Sequence, residues 1–118
     1  MKRRLNLDKE ILKVFGEKIE QLDYFYTTSL SVERKAKILN KMLLLCKSLG
    51  LNGYISDEDR RNLVFRAIMA NRNNVIEEEV RIEEELNEIY SELIKDCVEV
   101  GLIKRFTVPT FVWEDEEE

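Results

Sequence analysis

Seven glutamates and one arginine fill the twelve residues 77-EEEVRIEEELNE-88, a local charge of −6. Carboxylates at that density can meet a basic partner or, as a close pair, do acid–base work. The second task needs a cleft that drives one carboxyl pKa upward, whereas this block falls on what should be an exposed helix face. Histidine is absent, glycines number only four, and neither a GxSxG motif nor a phosphate loop occurs. The usual devices of acid–base and phosphate chemistry are therefore missing. Cys46 and Cys97 stand far apart with no CxxC pair, which removes metal sites built on imidazole or four thiolates. Two buried, reduced thiols are expected, with Cys97 a core residue rather than a nucleophile. The chain reads as a non-catalytic protein, with no cofactor and no metal.

Binding is the remaining chemistry. Within the block, Glu79 faces Glu83 and Glu84 faces Glu88 at i,i+4, pairs that each destabilise an isolated helix by about 0.2–0.5 kcal/mol. A position near a helix N-terminus gives partial relief. A merely solubilising face would interleave lysines, so Glu77, Glu78, Glu79, Glu83 and Glu84 are candidate contacts for a partner protein with a basic surface. Imitation of a nucleic acid is the sharper form of that reading. The chain's end, 105-RFTVPTFVWEDEEE-118, sets Phe111 and the only tryptophan, Trp113, against five consecutive acids. Phe111 and Trp113 join the candidate partner-binding residues.

The basic counterpart lies in the other half. Residues 1–50 hold eleven Lys/Arg against six Asp/Glu, a balance of +5; residues 51–118 hold eight against eighteen, a balance of −10. Such asymmetry informs on partners and association rates. Lys2, Arg3 and Arg4 form an arm, and Arg34, Lys37 and Lys41 share one helix face. These six would contact phosphates if the partner were a nucleic acid. No aromatic platform or Gly-rich loop accompanies them, so nucleic acid ranks second.

The elements that must position these residues follow from periodicity. Asn6 is expected to cap a first helix, with Asp8 and Glu10 in its opening turn. Its stripe Ile11, Phe15, Ile19 and Leu22 runs to about Gln21 or Tyr26. Gly16 inside the stripe costs roughly 1 kcal/mol relative to alanine and so points to a close contact. Ser31 or Ser29 caps a second helix through Leu49, closed by Gly50. Its segment 42-MLLLC-46 is apolar on every side, which places it mid-bundle. Ser56 with Asp59 approximates a capping box for a third helix, and 71-NRNN-74 breaks it. A fourth helix from about Val75 to Val100 carries Ile82, Leu86, Ile89, Leu93, Cys97 and Val100 on one stripe. Gly101 ends it, and two short strands around Pro109 follow. Val108 precedes the proline, and Phe111 and Trp113, two residues apart, alternate as one strand face does.

The stretch 98-VEVGLIKRFTVPTFVWE-114 resembles the ending of a winged-helix domain, in which a helix runs into a strand, a turn and a second strand. That resemblance implies a nucleic-acid-binding regulator and makes helix four its reader. Its exposed residues are mostly glutamate, which phosphates repel.

The expected fold is mainly α: a four-helix bundle-like domain over residues 1–113 with a short C-terminal β-hairpin, then a disordered acidic tail at 114–118. The alternative is winged-helix-like. At 118 residues with 44% hydrophobic and 36% charged residues, one domain with a real core is expected. No apolar run is long enough to span a membrane, and MKRRLNLDKE leads into no secretory apolar region. The protein is expected in the cytoplasm. Abundant Glu, Lys and Arg with a single glutamine match proteins that use ion-pair networks at high temperature, while eight asparagines, Asn52-Gly53 included, pull the other way. The 3-4 spacing of helix four resembles a coiled-coil seam, so a homodimer is expected. The functional expectation is a regulator or adaptor that engages a basic surface through the acidic helix face and tail.

Overall fold

The computed structural model describes residues 5, 7–28 and 30–104, and these are mainly helical. Helix α1 spans Lys9–Tyr26, α2 Val32–Ser48, α3 Asp57–Arg72 and α4 Ile76–Glu99. No strand occurs among the described residues. The expected hairpin and acidic tail lie outside them, and so do Lys2, Arg3, Arg4, Phe111 and Trp113.

Side-chain caps set three of the four starts. Ser31 accepts from the Arg34 amide and Ser56 from the Asp59 amide, each satisfying a first-turn donor that the helix itself cannot. At α1 the cap is Asp8, whose carboxylate accepts from the Glu10 amide at 3.2 Å. This corrects the assignment of the cap to Asn6: the helix begins at Lys9, so Asp8 is the boundary residue rather than a first-turn acid. Val75 gives α4 no side-chain cap, and Glu77, Glu78 and Glu79 occupy its first turn instead. Their charge compensates the exposed amides and the positive helix end.

The C-terminal ends of α2, α3 and α4 share one device. After α2, Gly50 takes φ 93° while the Leu51 amide donates to Cys46 O and the Gly50 amide to Lys47 O. After α4, Gly101 takes φ 82° with the same two bonds onto Cys97 O and Val98 O. Both are Schellman closures, with Leu51 and Leu102 folding their side chains into the core. Asn74, at φ 57°, plays the glycine part between α3 and α4.

Helix α2 is the centre, packed against α1, α3 and α4, and α3 packs on α4 as well. Leu39, Met42 and Cys46 of α2 meet Ile82, Leu86, Leu93 and Cys97 of α4, all excluded from solvent. The apolar segment of α2 is nonetheless not covered on every side, since Leu44 is 44% exposed. The α4 stripe is filled by the chain's own helices. That seam is closed to a second copy, and a dimer would need another face.

Helix α1 is turned from its expected orientation. Gly16, Ile19, Asp23 and Tyr26 are its buried residues, Phe15 and Leu22 are half-buried, and Ile11 is 43% exposed. Two contacts fix this rotation. A Cβ at Gly16 would lie 2.5 Å from the carbonyl oxygen of Leu102, so only glycine lets the turn after α4 come this close. Seven residues on, Asp23 takes a hydrogen bond from the Tyr90 hydroxyl. With Gly16 and Asp23 inward, Ile11 must face outward.

Candidate binding surfaces

The acids of α4 divide into inner and outer sets. On the α3 side, Glu78 and Glu85 bracket Arg66, with ion-pair distances of 3.1 and 3.0 Å. The hydrogen bond that Arg66 donates to Glu85 is the main reason that its guanidinium is held above its ordinary pKa. Arg81 also pairs with Glu78, one helix turn away. On the α2 side, Glu83 accepts from Lys35 at 2.8 Å, and the Lys35 ammonium sits 5.6 Å from the centre of the Tyr26 ring. Glu78 and Glu83 therefore clamp α4 to its neighbours, a structural use not apparent in the block's charge alone. Glu77, Glu79, Glu84 and Glu88 make no ion pair among the described residues. Of these, Glu77, Glu84 and Glu88 face solvent. Beside them, Ile76 and Val80 are 63% and 53% exposed. The outer face of α4 is thus acidic and interrupted by bare aliphatic side chains.

The basic row on α2 is not uniform either. Lys37 pairs with Glu33 at 2.9 Å, and Arg72 of α3 reaches the same carboxylate at 3.3 Å. These cations, the Lys37 hydrogen bond first, hold the Glu33 carboxyl below the ordinary carboxylate range. Arg34 and Lys41 are exposed and make no ion pair among the described residues. Both line an open trough between α1 and α2. Its two hollows share Gln21, Leu22 and Lys41 and so form one continuous channel. Phe25 and Ile38 lie at one end, Leu44 and Leu45 at the other, and Lys18 adds a cation from α1.

A buried polar cluster ties α1 to α4. Tyr90 stacks on Tyr26 with ring centres 4.1 Å apart and planes 13° from parallel. The Tyr26 hydroxyl donates to Asn87 Oδ1 at 2.8 Å, and that of Tyr90 to the fully buried Asp23. Burial pushes both phenols well above their ordinary pKa. Asp23, Tyr26 and Tyr90 are buried, while Asn87 at the edge of the cluster is exposed. Among the described residues, no cluster of side chains is suited to hold a metal ion.

Neither the trough nor the tyrosine pair is foreseen from the sequence. The visible signal for the pair is an acid, Asp23, seven residues after Gly16 on the buried side. For the trough it is the surplus of apolar residues on α1, more than one face can bury. Among the described residues no helix is long and apolar enough to cross a membrane. Compared with family models, curated proteins and solved structures, the chain matches none.

Proposed function

We propose that the protein is a non-catalytic adaptor or regulator whose acidic α4 face engages a basic surface on a partner protein. One observation carries this reading: Glu77, Glu84 and Glu88 stand outward without ion pairs among the described residues, beside the bare aliphatic side chains of Ile76 and Val80. Acids whose role was to hold the fold would be paired inward, as Glu78, Glu83 and Glu85 are. Outward acids steer a cationic partner, and the exposed aliphatic groups add apolar area on docking. The nucleic-acid alternative draws less support, because Lys37 is paired and Arg34 and Lys41 flank an apolar floor. Phosphates gain nothing from such a floor.

The test begins with affinity capture from the source cell and identification of the partner by mass spectrometry. Association kinetics then compare wild type with a Glu77→Lys, Glu84→Lys, Glu88→Lys variant at low and moderate salt. These positions spare the inner clamps, so the fold should persist. The expected result is slower association and a flatter salt dependence. An unchanged association rate, together with nucleic acid bound through Arg34 and Lys41 in a mobility assay, would reverse the ranking.

A further inference from the structure

Helix α1 has a second apolar stripe, and it faces away from the core. Leu7, just before the helix, is followed by Ile11, Val14, Lys18, Gln21 and Phe25 at spacings of four, three, four, three and four. The four apolar members are 39, 43, 51 and 45% exposed in chain order. Apolar residues all round a helix mark one that is covered on both sides, yet the chain's own helices cover only one. Helix α2 continues the pattern across the trough with Arg34, Ile38, Lys41 and Leu45, spaced four, three and four. A 3-4 alternation is the seam into which another helix inserts its side chains.

We infer that the α1–α2 trough is a docking groove for an amphipathic helix of a partner protein, its apolar stripe flanked by acidic residues. The spacing selects a helix as occupant. Charge selects acids: Lys18, Arg34 and Lys41 flank the floor, and none makes an ion pair among the described residues. From Arg34 to Leu45 the groove runs about 16 Å at 1.5 Å per residue, enough for three helical turns. Leu22, Phe25 and Ile38 would receive the partner's apolar side chains while the three cations meet its flanking carboxylates. This surface differs from the α4 face in position and in charge sign, so either can fail without the other.

The experiment uses the full chain and a fluorescein-labelled synthetic helix with leucine at the a and d positions and glutamate beside them. A second helix carries lysine for glutamate. Fluorescence anisotropy should show binding of the acidic helix only. Phe25→Asp should abolish it, and Arg34→Glu with Lys41→Glu should weaken it by about tenfold or more while admitting the lysine helix. All three positions are exposed, and circular dichroism should confirm unchanged helix content. Equal binding of both helices, binding of neither, or indifference to Phe25→Asp would overturn the inference. Two other occupants are separable. A wild-type dimer in sedimentation that Phe25→Asp disperses would assign the groove to a second copy. A shift of Trp113 emission caused by Lys41→Glu alone would assign it to the chain's own C-terminal segment. Either result overturns the partner-helix assignment.

Discussion

Cys46 Sγ lies 3.6 Å from Cys97 Sγ, with both side chains fully excluded from solvent. The two residues hold equivalent places: each lies three residues before its helix's capping residue, and each carbonyl accepts the amide of the leucine that closes that helix. The hydrogen bond with Cys46, followed by burial, pushes the Cys97 thiol above its ordinary pKa. Cys97 should be a poor nucleophile, because the thiolate is the reactive form, and complete burial shields Cys46 from reagents. An aromatic disulfide reagent should label the native protein at least about a hundredfold more slowly than the protein in denaturant, since reaction awaits an opening of the fold. Native labelling at the unfolded rate would show that the helix ends are not joined here.

The tyrosine pair predicts an alkaline limit to stability. Tyr26 and Tyr90 have folded pKa values raised above the ordinary 10.0 by burial. Below pH 10 both states hold the phenolic protons, so their contribution to stability is complete. Above it the unfolded chain loses protons that the folded chain keeps, and stability falls by about 1.4 kcal/mol per pH unit per tyrosine. Denaturant melts between pH 8 and 11 should decline first through Cys97, from about pH 9, and more steeply above pH 10, where Tyr26→Phe removes one tyrosine's share of the slope. A profile level to pH 11 would place both hydroxyls in water.

Gly16→Ala offers a contest of magnitudes. Alanine gains about 1 kcal/mol of helix propensity over glycine, yet its Cβ would stand 2.5 Å from Leu102 O. The obstacle is backbone, which cannot swing aside, and forced overpacking costs about 1–3 kcal/mol. Thermal melts should therefore show a net loss. A gain in stability would mean that Leu102 does not pack on α1.

Leu86→Ala tests the bundle directly. Leu86 is 1% exposed on the α4 stripe, and removing it should cost about 2–5 kcal/mol. A loss below about 0.5 kcal/mol in denaturant melts, the scale of an exposed substitution, would turn the stripe outward.

Much of the fold is legible in the sequence because its signals are local. Serine caps, glycines after α2 and α4, and the α4 stripe each act within a few residues, and the structure places them as their chemistry requires. The rotation of α1 is not legible, because distant residues set it: Leu102 against Gly16 and Tyr90 against Asp23. A stripe through Ile11 and Phe15 fits the periodicity equally well until those contacts choose a face. The acidic block shows the same limit. Its charge is plain in sequence, but Arg66 and Lys35, which divide it into clamps and outward acids, come from other helices. The trough is hidden for a related reason, since its 3-4 seams lie on two helices and become one surface only when they pack.

The arrangement around α2 also grades how the protein opens. Three helices pack on α2, but α1 lies beside it alone and reaches α4 chiefly through side chains and the turn at Leu102. Backbone amides of α1 should exchange with deuterium through detachment of that helix, while those near Leu39 and Met42 wait for global unfolding. A helix seated in the α1–α2 groove would bridge the detachable layer to the permanent one. Its arrival would be read as slowed exchange throughout α1, including positions it never touches, so the domain could register occupancy as a change in cooperativity rather than in shape.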